Sequence, residues 1–397
     1  MFLTQKSTLA VSFALAAVLW LAGVPTAAMA ATTIIRGWTS DFAEPIIPAG
    51  SMRPQGLWND VHVLKENNQY VMYLTTSVND PFVPPILPFR AVSTDGVQWK
   101  LSPETPLIQA SDTEFVSAET PSVVFFNGQY HMFFTGIYGD GASAPMAIGH
   151  ATSPDGIHWT PDHNAVLKAT GTPSDWNGYL VGEPGVVIHN NTMLVYFSAI
   201  AARAGGNPPQ KQTIGVAQTT DGVNFTAPQV VLEQSSLYPP EQGYVGYSTP
   251  AAVEIGGQIH LFYDVAMFIK DGEPEWQQVG LHHAVSDTGL SGFVQDTQPL
   301  LTRDDFTWTS GEMLAPSPLY DNGELKLWFS GHVRNRDLGP LISRGIAGPE
   351  FGIGYVHKTW AAPAAAAPAA AAPQPAAAAA PATTTSAAPK RGLRRQR

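Results

Sequence analysis

The chain of 397 residues contains no cysteine, which excludes disulfide bonds, thiolate metal sites and a cysteine nucleophile. Basic residues are scarce as well. Of the 21 Lys and Arg residues, one lies before residue 31 and five lie beyond residue 360, which leaves residues 31–360 with 15 basic and all 32 acidic residues, a net charge of −17. A segment this acidic argues against nucleic acid or an anionic membrane surface as its main partner.

Several motifs are missing too. The sequence contains no phosphate-binding loop, no dinucleotide-binding glycine motif and no Gly-x-Ser-x-Gly elbow. Beyond the first 30 residues, no stretch is long and apolar enough to span a bilayer. The remaining 330 or so residues can bury a large core, as one large domain or two smaller ones.

Residues 1–30 have the pattern of a signal peptide. Lys6 marks a short charged region, the apolar run Leu9 to Val24 ends at Pro25, and Ala28-Met29-Ala30 is a small-x-small cleavage site. The alternative is an uncleaved membrane anchor, for which the run is short. We therefore predict that a bacterial-type leader is removed near Ala30 and that the protein is secreted or periplasmic.

Residues 361–397 form a tail of different composition. Residues 361–389 are mostly Ala and Pro, and the last eight residues read Lys-Arg-Gly-Leu-Arg-Arg-Gln-Arg. Frequent Pro interrupts any helix and Ala offers little to pack, so the segment is predicted to be a disordered spacer. The alternative function is a tether or an electrostatic hook for an acidic surface.

The segment between these ends repeats itself. Residues 119–136 consist of two apolar strands around an Asn-Gly turn, which is a hairpin signature. Similar phrases recur at steps of 60, 63, 66 and 66 residues, with their turns at Asn68, Gly128, Asn191, Gly257 and Gly323.

A second phrase follows the first three hairpins. Its Ser/Thr and Asp cap a turn, its Gly takes a positive φ, and its aromatic residue returns to the core. The copies begin at Ser93, Ser153 and Thr219, with a looser fourth copy at Ser286.

Five units of about sixty residues, each with three or four strands, predict an all-β fold, a five-bladed β-propeller over residues 31–360. The fifth unit shows only three strands, Leu314 to Tyr320, Glu324 to Gly331 and Phe351 to His357. We therefore predict that an N-terminal strand, Thr32 to Gly37, completes the last blade. One large closed core would also remove the need for disulfides.

In a propeller the first strand of each blade lines the axis, so polar groups distant in sequence can meet there. Aligning the blades on the residue after each turn places five residues in one register: Asp60, Thr120, Glu183, Thr249 and Ala315. Glu119 is one residue out of this register and Glu312 is three out. Two carboxylates in one register indicate a functional site, although each could instead cap a strand or pair with an arginine.

The surrounding residues suggest a carbohydrate ligand. Four tryptophans lie outside the repeated strands, where their faces could stack on sugars or simply pack: Trp58, Trp176, Trp276 and Trp308. His332 follows a blade-five strand and could approach the axis. His282 and His283 are adjacent on a strand and therefore point to opposite faces, which predicts one core and one exposed histidine.

Residues 57–358 resemble the five-bladed propeller glycoside hydrolases, namely the arabinanase and β-xylosidase group (family 43) and the invertase and levansucrase group (families 32 and 68). Leu57-Trp-Asn-Asp60 is similar to their first-blade segment and Val181-Gly-Glu-Pro184 to their third-blade Asp-Pro segment. The resemblance implies that Asp60 is the general base or nucleophile and that Glu183 stabilises the transition state. Substrate would contact a further set of residues: Trp58, Asn59, Thr249, Trp176, Trp308 and His332.

One departure concerns the general acid. These families carry a glutamate on the fourth blade, where this sequence has Thr249, and a threonine hydroxyl is too weak an acid to replace it. The substitute donor would be Glu119, Glu312 or Glu241, with a pKa raised by burial or a neighbouring like charge.

The leading hypothesis is therefore an exported, monomeric glycoside hydrolase acting on a polysaccharide or oligosaccharide, with Asp60, Glu183 and Glu119 or Glu312 as its catalytic carboxylates. It would need no cofactor, although the resemblance and the many carboxylates allow a structural calcium ion at the channel. Two alternatives stay open. One is a carbohydrate-binding propeller that lacks the acid, and the other is a protein-interaction propeller held at a cell surface by the tail.

Overall fold

A computed structural model describes residues 32–49, 51–52, 58–77, 85–139, 145–201, 211–268, 276–332 and 351–361. The predicted signal peptide and the tail beyond residue 361 lie outside these ranges. Within them the chain forms 22 β-strands and no α-helix, which confirms the predicted all-β class. Four short 3₁₀ turns interrupt the loops, at Ala110–Asp112, Pro240–Gln242, Arg303–Asp305 and Thr307–Thr309.

The strands fall into consecutive antiparallel groups, of which the first two are separate four-stranded sheets. The first group consists of β3 (Asn59–Glu66), β4 (Gln69–Ser77), β5 (Ile86–Ser93) and β6 (Lys100–Leu101). The second consists of β7 (Ser117–Phe126), β8 (Gln129–Ile137), β9 (Met146–Ser153) and β10 (Thr160–Pro161).

The remaining groups are joined edge to edge by single parallel pairs, Gln212 with Gly246 and Val279 with Met313. The third group consists of β11 (Leu180–His189), β12 (Thr192–Ile200), β13 (Gln212–Thr219) and β14 (Gln229–Leu232). The fourth consists of β15 (Tyr244–Ile255), β16 (Gln258–Phe268), β17 (Trp276–Ser286), β18 (Val294–Gln295) and β19 (Leu301–Thr302). The fifth consists of β20 (Glu312–Asp321), β21 (Glu324–His332) and β22 (Gly352–Thr359).

Two N-terminal strands, β1 (Thr33–Ile35) and β2 (Trp38–Ser40), extend the fifth group. Strand β2 pairs with β22 through Thr39 and His357, and β1 is the outer partner of β2. The predicted donor segment, 32–37, therefore lies one strand further out than expected. The reason is local: Arg36 and Gly37 adopt positive φ and turn the chain back on itself.

Each predicted hairpin turn is present, and both central residues have positive φ, as a type I′ turn requires. The second repeated phrase folds as predicted too. In its first copy the Ser93 hydroxyl accepts the N–H groups of Asp95 and Gly96, and the Asp95 carboxylate accepts those of Val97 and Gln98.

These turns also dock on the neighbouring group. Aromatic side chains on second strands donate to the glycine carbonyls of the turns, and the donor is always in the preceding group. The pairs are Trp328 Nε1 with Gly96 O at 2.9 Å, Tyr73 Oη with Gly156 O at 3.1 Å and Tyr196 Oη with Gly289 O at 2.6 Å. The first of these pairs joins the fifth group to the first.

The first strands of successive groups contact one another: β3 contacts β7, β7 contacts β11, β11 contacts β15, β15 contacts β20, and β20 contacts β3. Between the groups lie buried aromatic and aliphatic clusters. No helix in the described ranges is long and apolar enough to cross a membrane.

Two histidines correct the sequence analysis. His282 and His283 point to opposite sides of β17, but both are buried, so the prediction of one exposed histidine is wrong. His283 stacks on His260 and contacts Asp296, and His282 contacts the Tyr263 hydroxyl. Packing of a further layer on each face buries them both.

Candidate active site

A β-bulge interrupts all five first strands at the same place. In each strand the bulge begins at a non-glycine residue with a φ between 46° and 53°, namely Asp60, Thr120, Glu183, Thr249 and Ala315. These are the five residues that the sequence alignment placed in one register. Bulges with left-handed residues re-aim side chains and concentrate at functional sites.

The bulge layer brings four carboxyl groups together, each from a different strand group. Asp60 on β3 and Asp264 on β16 are buried, and Glu119 on β7 and Glu183 on β11 are partly exposed. The four interact electrostatically: Glu119, Glu183 and Asp264 all act on Asp60, and Glu183 also acts on Glu119 and Asp264. The site therefore has two carboxyl groups at its floor and two that reach solvent.

Burial and mutual repulsion shift these groups away from ordinary acids. Burial, followed by repulsion from Glu119 and Glu183, raises the pKa of Asp60 well above its usual range. Burial and Glu183 raise the pKa of Glu119 to about 7 and that of Asp264 to about 7. Burial likewise raises the pKa of Glu183, against hydrogen bonds from Ser198 and Thr249. The cluster therefore keeps a proton near neutral pH.

Sequence reasoning missed Asp264, because it lies on a second strand and the search followed first strands. A signal was present in the repeats. At the steps that relate the hairpins, the equivalent residues are Thr75, Thr135, Ser198 and Ser330, so an aspartate is the exception among hydroxyl residues. Its side chain accepts hydrogen bonds from the Ser248 hydroxyl and, at 3.2 Å, from the Ala315 N–H.

Polar groups surround Asp60. The Thr120 hydroxyl donates to Asp60 Oδ2 at 3.3 Å. The neighbouring Trp58 is fully buried, and its Nε1 has no hydrogen-bond partner among the described residues; the same holds for Asn59 Oδ1. Buried polar atoms are nearly always paired, so these two atoms are suited to binding a polar ligand.

Thr249, predicted to bind substrate, lies at the floor of the site and is 7% exposed. Its N–H donates to Glu183 Oε2 at 3.1 Å and to Ser198 Oγ at 3.0 Å. Its side chain hydrogen-bonds to both Glu183 and Asp264 and stabilises their charged forms. The threonine therefore connects two of the carboxyl groups.

Glu312 and His332 form a pair away from this cluster. They lie opposite each other at the ends of β20 and β21, with His332 Nε2 2.7 Å from Glu312 Oε2. Glu312 Oε1 also accepts the Gln278 N–H. The other donor considered, Glu241, is exposed in a 3₁₀ turn. Among the three predicted acids, only Glu119 thus acts electrostatically on the Asp60 cluster.

The predicted sugar-stacking tryptophans pack within their own strand groups. Trp176 stacks on Phe197, and Trp308 stacks on Phe329. Glycines make room for the indoles, Gly215 beneath Trp176 and Gly354 beside Trp308. The side chain of Trp276 lies outside the described residues.

A cavity of about 20 Å³ lies on the axis within the bulge layer, large enough for one water molecule. Its lining is mostly proline and small polar residues, and Asp60 is the one carboxylate among the lining residues. Calcium takes six to eight oxygen ligands, so this lining does not fit it. In the described part of the chain no group of three or more His, Asp or Glu residues is placed to hold a metal ion.

The sequence matches known glycoside hydrolases over part of its length. Residues 117–244 match the glycosyl hydrolases family 32 N-terminal domain. The chain is 29% identical over 133 residues to a raffinose invertase of Escherichia coli, covering 32% of this chain and 25% of that protein. It is 28% identical over 210 residues to a sucrose-6-phosphate hydrolase of the same organism, covering 52% and 36%. The chain thus spans only a quarter to about a third of these relatives.

Solved structures match over most of the chain. A thermostable family-43 glycoside hydrolase superposes with a TM-score of 0.56 and 14% identity, covering 77% of this chain and 93% of that one. The predicted resemblance to the propeller glycoside hydrolases is confirmed. A family-43 enzyme from Xanthomonas citri, solved with xylose, gives a TM-score of 0.52 and 12% identity, covering 79% and 88%. At these identities the likeness establishes the fold, a β-propeller.

Proposed function

We propose that this protein is a glycoside hydrolase whose reaction takes place at the axial carboxyl groups. The observation that carries the proposal is the convergence of Asp60, Glu119, Glu183 and Asp264 from four strand groups. Glycoside hydrolysis uses two carboxyl groups flanking the scissile bond, one protonated and one ionised. A cluster in which repulsion holds some groups protonated near neutral pH meets that requirement.

The roles follow from exposure and pKa. Asp60 lies beside the unpaired polar atoms of Trp58 and Asn59 and acts as base or nucleophile in its ionised form. Glu119 is partly exposed with a pKa of about 7, which suits a group that protonates the leaving oxygen. Glu183 orients the substrate and stabilises positive charge on the sugar ring. Glu312, paired with His332, is the reserve donor.

The test measures the release of reducing sugar from a glycan panel by wild type and by Asp60→Asn. The panel includes sucrose, raffinose, sucrose-6-phosphate and xylan, because the relatives' names refer to these sugars or to xylose. Loss of the base is expected to lower kcat about a hundredfold or more. Asp155→Asn, in an exposed turn, is the matched control and should keep the wild-type rate.

A second function, carbohydrate binding without cleavage, is favoured by Thr249 in place of the family's acid. The same panel separates the two functions. Turnover that depends on Asp60 supports the hydrolase, and a wild-type rate in Asp60→Asn contradicts the assignment. Binding in calorimetry without any turnover over long incubation supports the binding function.

We also propose that the five strand groups are the blades of a closed ring, with the N-terminal strands completing the last blade. Contact of β20 with β3 and the Trp328 to Gly96 hydrogen bond support this proposal. The bridge between Ile47 and Ile353 adds a further link between the N-terminal segment and β22.

The setting of the protein belongs to the same proposal. The leader pattern in residues 1–30 supports export to the periplasm or the exterior, and the Ala/Pro composition of the tail supports a disordered spacer. A monomer without a required cofactor is the simplest form consistent with a complete carboxyl set in one chain. A structural calcium ion stays a prediction for which the axial cavity gives no support.

A further inference from the structure

One hydrogen bond recurs around the axis. In every strand group the residue that begins the bulge donates its N–H to a side chain on the second strand of the preceding group. The distances are 3.1 Å for Asp60 to Ser330, 2.9 Å for Thr120 to Thr75, 2.7 Å for Glu183 to Thr135, 3.0 Å for Thr249 to Ser198 and 3.2 Å for Ala315 to Asp264. A hydroxyl oxygen performs this task four times, so the fold does not require a carboxyl group at residue 264.

The carboxyl group of Asp264 is costly where it lies. Its residue has no exposed surface, and its titratable neighbours, Glu183 from β11 and Asp60 from β3, are both acidic. From β15 it meets the Ser248 and Thr249 hydroxyls, and from β20 the Ala315 N–H. Burying a carboxyl group among like charges is unfavourable, which indicates a task other than stability.

Thr249 links Asp264 to the exposed part of the site. Its side chain hydrogen-bonds to Asp264 and to Glu183, and its N–H donates to Glu183. A hydroxyl can accept a proton from one carboxyl group while it donates its own to another. The O–H bond of Asp264 breaks, the Thr249 oxygen takes that proton and gives its own to Glu183, and the total charge is unchanged.

We propose that Asp264 is a positioning residue that shares a proton with Glu183 through the Thr249 hydroxyl, and so supplies the protonated form of Glu183 to a bound sugar. Glu183 is partly exposed and can reach a ligand, and Asp264 is buried and cannot. Thr249 stands where the resembled families carry their acid, and it keeps a hydroxyl there. The use of that proton on a sugar rests on the proposed function, whereas the sharing of the proton does not.

The test is a titration of glutamate carboxyl carbons by ¹³C NMR in the full chain, with the Glu183 signal assigned through Glu183→Gln. Asp264→Ser introduces the residue found at the equivalent positions 198 and 330, and it should lower the midpoint of Glu183 by about one pH unit or more because a like charge is gone. Thr249→Val should raise the midpoint, because the hydroxyl stabilises the charged form. Loosening of the structure would move both variants in one direction.

Thr75→Ser, the same contact in the first strand group, is the control and should leave the midpoint of Glu183 in place. If Asp264→Ser fails to fold, Asp264→Asn replaces it with the same expected direction. An unmoved midpoint in the Asp264 variant, or a fall in Thr249→Val, overturns the inference.

The pH profile of kcat/KM supplies the second readout. Asp264→Ser should shift the alkaline limb to lower pH, so that activity at pH 8 falls at least tenfold while activity at pH 5.5 changes less than twofold. Equal losses at both pH values overturn the catalytic part. A moved NMR midpoint without turnover by any form contradicts the proposed function and leaves the proton sharing intact.

Discussion

Two sets of acidic side chains recur in this propeller, and they titrate in opposite directions. In the exposed turns the pKa of Asp155 lies below its usual range, because the N–H and side chain of His158 and the N–H of Ile157 donate to its carboxylate. Asp221 shows the same direction. At the axis burial and like charges raise the pKa of Glu119 and its neighbours. The same side-chain chemistry thus stabilises the repeat in one region and burdens it in the other.

The difference locates function by elimination. A turn aspartate satisfies donors that its own loop supplies, so the repeat explains it fully. The axial carboxyl groups satisfy few donors and repel each other, and a hydroxyl serves in place of Asp264 in four of the five groups. Charge that the fold does not need, gathered on the axis, indicates a site selected for chemistry.

The largest effect on stability is expected from Glu119→Gln. The folded state raises the pKa of this carboxyl group from 4.5 to about 7, so the folded protein loses stability as pH rises through this window and stays less stable above it. The variant should therefore gain up to about 3 kcal/mol in the free energy of unfolding at pH 8 and almost nothing at pH 4. Urea unfolding at both pH values measures this, and a loss of stability at pH 8 contradicts the comparison.

A smaller effect is expected where the turn region docks on its neighbour. Gly156 has a φ of +72°, and a Cβ there would lie 2.7 Å from the Tyr73 hydroxyl oxygen, so Gly156→Ala should cost about 1–3 kcal/mol. Gly128→Ala is the control, because Gly128 has a φ of +88° and no atom within 4 Å of the added Cβ. Its cost should be the backbone strain alone, about 1 kcal/mol. Equal costs in thermal unfolding would show that the docking contact contributes nothing.

The smallest effect is expected from Asp155→Asn. Its lowered pKa means that the charged carboxylate stabilises the fold above about pH 4, and that this contribution is lost as pH falls below the pKa of the unfolded state. The variant should lower Tm slightly at pH 8, opposite in sign to Glu119→Gln, and the difference from wild type should shrink near pH 2. A rise in Tm at pH 8 would remove the contrast between the two regions.

Much of the fold follows from local chemistry that is readable in the sequence. Asn-Gly and related turns require positive φ, so they mark the hairpins, and equal spacing from those turns fixes the register of Asp60 and Glu183. Where the chain turned early, as at Arg36 and Gly37, the predicted pairing strand was displaced by one.

The site was predictable only in part. Asp60, Glu119 and Glu183 lie at or beside the predicted register and do come together. Asp264 escaped because its strand is the second of its group, and only the packing of that strand against the next bulge carries its carboxyl group to the axis. The burial of Trp176 and Trp308 against their own strands was equally unreadable, since it depends on small residues across the sheet.

The sequence alone determined the repeat, the turns, the strand class and the acidic character of the chain, because each depends on neighbouring residues or on composition. The tertiary structure decided which acids meet, which are buried, and that a threonine joins two of them. Those outcomes depend on distances between strands far apart in sequence, and proton affinity in a buried cluster depends on those distances.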